Sequence, residues 1–319
     1  MSPSARVSSI LDSTLEGTVV GSFTKLGIRA RDRLFDWDHD LPRMDGQTVV
    51  VTGGTSGIGE ATAARLLDLG ADVHLTSRDE DRAQEAADAL NRGGSDARRG
   101  TATGHALDTA DRASIASFVA EMSRLASGLD VLIHNAGALT SEYRTDDCGN
   151  ELTLSSHLIG PYLLTRDLRP ALNPGARVLW MSSGGMYTQG LDVDSIELSE
   201  DDYRGAIAYA RAKRGQVELV THLAPDWAPD IVMHSMHPGW VDTPGVDAGL
   251  PGFGKVMGPL LRTAEEGADT MVWLAATGGD DAEPGSFFLD RRPRRTHYLP
   301  GTGTTDDERS RLVEWLESH

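Results

Sequence analysis

The 319-residue sequence predicts an α/β fold, a doubly wound parallel sheet built as a single domain with an N-terminal helical extension. Three observations carry this. Short apolar, β-branched runs alternate with alanine- and leucine-rich stretches of helical pattern, as in a parallel sheet covered on both faces. A glycine-rich loop joins the first run directly to the first of those helices. No internal repeat or low-complexity linker interrupts the series.

Residues 1–45 precede the first strong strand. Within them Phe23, Leu26, Ala30, Leu34 and Trp37 recur at three- to four-residue spacing, which predicts an amphipathic helix flanked by Arg29, Arg31 and Arg33. Two uses of that stripe stay open: packing on its own domain or a sister subunit, and peripheral contact with a membrane surface. The main domain is expected over 46–300. Its strands are read at "QTVVVTG" (47–53), "ADVHLTS" (71–77), "GHALD" (104–108), "DVLIHNAG" (130–137), "ARVLWMSS" (176–183), "DIVMHSMHPG" (230–239) and "GSFFLD" (285–290). A helix runs from the first strand through Leu69, another follows Asp79, and a helical tail is expected over 301–319.

Charge and cysteine content narrow the function. With 48 acidic against 30 basic residues the net charge is −18, which excludes a general nucleic-acid binder, since that role needs a dominant basic field. The local cluster "RRPRR" (291–295) reads either as a solvated or tail-anchoring patch or as an anion site. Cys148 is the only cysteine, so no intramolecular disulfide forms. It sits in the turn-like "DDCGN" with no histidine close in sequence, which argues against a thiol nucleophile. The first residues lack an apolar core of signal-peptide length and no run reaches a membrane span, so a cytoplasmic protein without a transmembrane segment is expected.

The loop "TGGTSGIG" (52–59) carries the first chemistry. Gly53, Gly57 and Gly59 let the backbone turn tightly and approach a pyrophosphate, which would rest at the positive end of the following helix with Thr55, Ser56 and Ile58 around it. The end of the second strand selects the nucleotide. A carboxylate there would accept both ribose hydroxyls and repel a 2′-phosphate. This chain has Ser77 and Arg78 instead, and a guanidinium pairs with phosphate through two parallel hydrogen bonds. The expected cofactor is therefore NADP(H).

Lys213 is one of three lysines in an arginine-biased chain, and it stands four residues after Tyr209. Four-residue spacing puts both on one helix face. A carbonyl receiving a hydride needs an acid beside its oxygen, and tyrosine's ordinary pKa of about 10 is too high to serve unaided. A compact ammonium nearby favours the phenolate and still has donors for ribose hydroxyls, where arginine's planar fork suits carboxylate or phosphate.

Together "TGGTSGIG", "HNAG" (134–137), "YARAK" (209–213) and "PGWVDT" (238–243) resemble the short-chain dehydrogenase/reductase family, whose fingerprint is Thr-Gly-x-x-x-Gly-x-Gly. The resemblance covers most of the chain. It implies a Rossmann-like fold and a homo-oligomer acting on a small-molecule carbonyl or alcohol. By residue, it implies Ser183 as the hydroxyl that polarises the substrate oxygen, with Ser182 the alternative, beside Tyr209 and Lys213. It implies cofactor contacts at Asp108 (adenine), at Asn135, Ala136 and Gly137, and at Pro238, Gly239, Val241 and Thr243. One departure stands out: "SSHLIG" (155–160) puts His157 where the family has an asparagine that holds a water in the proton path. A histidine can hold that water or relay the proton itself.

The long segment between Ser183 and Tyr209 resembles the insertion of retinol-dehydrogenase-like members. The apolar, glycine-rich "PGVDAGLPGFGKVMGPLL" (244–261) reads as a lid over a lipophilic ligand or as a packed surface loop or oligomer contact. The expected function is NADP(H)-dependent hydride transfer at a carbonyl or alcohol. The alternative is a non-catalytic NADP(H)-binding redox sensor or scaffold.

Overall fold

The protein is described by a computed structural model covering residues 3–94, 97–137, 139–242, 258–280 and 282–319. Among the described residues eight strands form one sheet in the order β3-β2-β1-β4-β5-β6-β7-β8. They are β1 (Thr48–Val51), β2 (Asp72–Ser77), β3 (Ala102–Ala106), β4 (Leu129–His134), β5 (Leu172–Met181), β6 (Ile231–Met236), β7 (Phe287–Leu289) and β8 (Arg292–Arg294). Every pairing is parallel except that of β7 with β8. This is the doubly wound parallel sheet that the alternating pattern predicts.

Period-two alternation sends the apolar side chains of the central strands to both faces of the sheet. Val50, Leu132, Val178 and Trp180 enter one core, while Val49, Val51, Val131, Ile133, Leu179 and Met181 enter the other. The first core is closed by α6 (Arg112–Met122), α7 (Leu152–Leu154), α8 (Gly160–Leu168), α9 (Gly205–Trp227) and α11 (Asp306–Glu317). The second is closed by α4 (Gly57–Asp68), α5 (Glu80–Arg92) and α10 (Ala264–Thr277). With water excluded from both faces there, the run Val49–Val51 of β1 and the run Val131–Ile133 of β4 are apolar and fully buried.

Strand bounds depart from the pattern reading: β5 starts at Leu172, four residues before the expected 176, and the pattern does not predict β8. Strand β3 starts at Ala102, two residues earlier than expected. Asn91 exchanges hydrogen bonds with both the N–H and the carbonyl of Ala102, and Asp72 accepts from Thr101, which draws the strand's start into the sheet. The C-terminal helix α11 starts at a Thr305/Glu308 capping box and drives Leu312 and Leu316 fully into the first core.

The N-terminal segment folds as α1 (Pro3–Glu16), α2 (Val19–Phe23) and α3 (Lys25–Phe35). The single amphipathic helix expected over Phe23–Trp37 is broken at Thr24, and its apolar stripe is not the buried one. Leu26 is 55% exposed, whereas Gly27, Ile28 and Arg31 are buried. Arg31 goes inside because its charge is met there. Its guanidinium donates to Asp12 Oδ1 at 2.7 Å and Asp290 Oδ2 at 2.6 Å. "RRPRR" is the other half of this anchor: Arg294 pairs with Asp12 and Glu16 of α1, and Arg291 pairs with Asp269 and covers the Trp37 ring.

Candidate active site

The strand order reverses between β1 and β4, and in open α/β sheets the crevice beyond the carboxyl ends of such strands takes the ligand. At that point β1 leads through the glycine loop into α4, whose first residue is Gly57. The backbone is too close-packed there for side chains: a Cβ on Gly53 would lie 2.9 Å from Ala136 Cα, and one on Gly59 would lie 2.3 Å from the Gly53 carbonyl. Ser56, at the N-cap, makes no side-chain capping bond, so the first-turn N–H groups stay available. Thr55, Gly57 and Ile58 are partly exposed in the same loop. A narrow backbone cradle at an uncapped helix start fits a pyrophosphate.

Asn135 ties the two central strands together. Its Nδ2 donates to the carbonyls of Thr52 and Gly53 at 3.0 and 3.1 Å, while Thr52 Oγ1 accepts from the N–H groups of Asn135 and Ala136. Gly137 lies against the His157 ring, where a Cβ would meet Cε1 at 1.9 Å. Arg78, at the end of β2, is exposed and makes no ion pair or hydrogen bond with the described residues. Asp108, beyond β3, accepts from Ala110 N–H through one carboxylate oxygen and remains partly exposed.

The structure brings Ser183, Tyr209, Lys213 and His157 to one place. Strand alternation separates the two serines: Ser182 is buried and donates to the Lys213 carbonyl at 2.9 Å, whereas Ser183 is partly exposed and its hydroxyl accepts from Gly185 N–H. Tyr209 and Lys213 share a face of α9. The phenol of Tyr209 is raised above its ordinary value by burial, and a hydrogen bond with Ser183 offsets part of that rise. Lys213 is 3% exposed, and burial pushes its ammonium down to about 7. Its Nζ lies 5.5 Å from the Tyr209 ring centre and donates to the Met181 carbonyl at 2.7 Å, with no other acceptor among the described residues. His157 stands edge-on to the Tyr209 ring at 5.2 Å, in a π-helical turn, Ser155–Ile159.

The loop after β6 completes the crevice. Gly239 turns with φ +79°, Pro238 offers its carbonyl to Arg262, and Val241 is buried in a bridge to Arg262. Thr243 and the lid expected over 244–261 lie outside the described residues, apart from 258–261. Sequence reasoning missed Phe23. Its ring packs against His237, Trp240 and Tyr187, and no local pattern announces a contact between residues more than 150 positions apart.

A glycine cradle at the sheet's switch point, with serine, tyrosine and lysine gathered at the ends of β5 and α9, defines a nucleotide-dependent oxidoreductase fold. The family model for short chain dehydrogenases matches residues 47–249, and the chain belongs to that family. Human dehydrogenase/reductase SDR family member 12 is 37% identical, covering 92% of this chain and 93% of its own. Retinol dehydrogenase 14 of Mus musculus is 33% identical over 77% of this chain and 78% of its own. Among solved structures, a Beutenbergia cavernae chain described as a putative NAD(P)-dependent gluconate 5-dehydrogenase, with NADP bound at low occupancy, superposes with a TM-score of 0.62. It is 25% identical and covers 78% of this chain and 96% of its own.

Proposed function

We propose that this family member is an NADP(H)-dependent oxidoreductase acting on the carbonyl or alcohol group of a lipophilic small molecule. The observation that carries the reading is the convergence of Ser183, Tyr209 and Lys213 beside the glycine cradle. NADP(H), when bound, would supply or accept the hydride. Tyr209 would give its proton to the substrate oxygen while Ser183 donates a hydrogen bond to the same oxygen; burial raises the phenol here, the reverse of the lowering expected from the Lys213 charge. Lys213, when protonated, would bring charge near the phenol, and beyond its bond to the Met181 carbonyl it has donors left over for ribose hydroxyls. His157, against Tyr209, would hold a water or relay the proton that restores the phenol.

The nucleotide would be held by Gly53, Thr55, Ser56, Gly57, Ile58 and Gly59 at its phosphates and by Asp108 at the adenine. Asn135, Ala136, Gly137, Pro238, Gly239, Val241 and Thr243 would line its remaining length. Preference for NADP(H) rests on Arg78, whose exposed guanidinium, unpaired among the described residues, suits a 2′-phosphate. The retinol dehydrogenase relative supports a lipophilic substrate.

The test is NADPH oxidation by wild type and Y209F across a panel of aldehydes and ketones. Turnover by wild type that Y209F loses supports the reading. Equal rates in both would favour a non-catalytic NADP(H) sensor. A cytoplasmic homo-oligomer belongs to the same proposal, its subunit count readable by light scattering. No helix of the described residues is long and apolar enough to cross a membrane. Surface contact with a bilayer is supported by Leu11, Val20 and Leu26, each 45–55% exposed on the N-terminal helices. Liposome flotation with and without residues 1–40 tests it.

A further inference from the structure

We propose that the N-terminal extension is part of the substrate site, and that Phe23 is a specificity-determining wall of the crevice beside Ser183. The inference rests on the oxidoreductase reading above.

Phe23 ends α2 on the carboxyl-end side of the sheet, wedged between the loops that follow β5 and β6. On the β5 side it abuts Gly184, the residue after Ser183: a Cβ there would lie 2.8 Å from Phe23 Cε2. Its ring also faces Tyr187 at 6.4 Å. On the β6 side it meets His237 edge-on at 4.6 Å and Trp240 at 5.8 Å. Phe23 itself is only partly buried. Ligands of open α/β sheets lie in this crevice, so a partly exposed aromatic ring next to Ser183 limits what can stand there.

The ring is placed by its own backbone. The Phe23 carbonyl accepts from Trp240 N–H at 2.7 Å and from Arg262 Nε at 3.1 Å, and Arg262 also donates to the carbonyls of Ser22 and Thr24. Gly239 permits this approach, since a Cβ there would lie 2.7 Å from the Phe23 carbonyl oxygen. Behind the clamp, the buried Asp290 carboxylate pairs with Arg262 at 2.6 Å and with Arg31 of α3 at 2.6 Å. The extension is thereby locked to the loop whose Pro238, Gly239 and Val241 are assigned to the nucleotide. A frayed terminal helix with no such role would not need two buried arginines to hold it.

Since the anchoring bonds use main-chain atoms, F23A should keep the extension docked while opening the wall, and F23W should narrow it. The experiment compares wild type, F23A and F23W on NADPH-driven reduction of carbonyl compounds graded from small aliphatic aldehydes to bulky polycyclic ketones. Binding of the matching alcohols without nucleotide is measured alongside by calorimetry. The expected result is that the ratio of kcat/KM for bulky over small substrates rises about tenfold in F23A and falls in F23W, with alcohol Kd values in the same order and NADPH Kd within about twofold of wild type. Unchanged ratios and alcohol affinities in active variants would overturn the role of Phe23 alone. A wild type inactive on every compound and binding none of the alcohols would overturn both this inference and the oxidoreductase reading.

Discussion

Lys213 Nζ donates to the Met181 carbonyl at 2.7 Å, so the buried lysine of α9 is held against the end of the strand that leads to Ser183. The contact places the ammonium behind the crevice floor and desolvates it, which is why its pKa falls to about 7.

The sign of the resulting pH effect follows from proton counts. Between about pH 7 and 10 the unfolded chain keeps Lys213 protonated while the folded nucleotide-free protein releases that proton. Lys213 therefore contributes a stability that rises with pH through this window, with a limiting slope of about 1.4 kcal/mol per pH unit. Urea unfolding of wild type against K213M from pH 7 to 9.5 should show a rise in wild type that the variant lacks.

Two histidines predict an acid effect. Burial pushes His134 down to about 3, with Lys213 adding to the shift, and burial pushes His237 to about 3, with Arg262 adding. Both are neutral in the folded state, so their contribution is complete above about pH 6.5 and is lost as pH falls from there toward 3. His134→Asn should reduce the drop in unfolding midpoint between pH 7 and 4.

Asp290 is the most consequential anchor. It follows β7 with φ +54°, as does Arg291, so a non-glycine pair makes the tight turn into β8. Burial pushes its carboxyl up, but Arg262 and Arg31 more than reverse this and hold it below the usual carboxylate range. Asp290→Asn would leave two buried guanidinium groups under-compensated and should cost about 3–5 kcal/mol. Denaturant unfolding checks the loss, and hydrogen exchange should show α3 opening first.

Much of this site was legible in the sequence, and the limits have physical reasons. The run "TVVV", the glycine loop and the four-residue spacing of Tyr209 and Lys213 are local signals, set by pleat, turn and helix period. Arg31 was not legible. A charged residue on a helix reads as solvent-facing unless its counter-charge is known, and Asp290 stands 259 positions away. The same holds for Phe23, whose meaning depends on Gly184 and Trp240. Ser182 and Ser183 could be separated only once the strand end fixed which hydroxyl reaches Lys213's carbonyl.

His157 tests how far the family's proton path tolerates change. With its ring 5.2 Å from Tyr209, it should share in turnover: H157N is expected to shift the pH profile of kcat while leaving NADPH affinity unaltered. An unaltered profile would remove it from the proton path.

The most direct test of the account is a pair of calorimetric titrations, NADPH and NADH, on wild type and R78A. NADPH should bind wild type at least about tenfold more tightly than NADH, and R78A should lose most of this preference while keeping NADH affinity. Binding of neither nucleotide to wild type would contradict this.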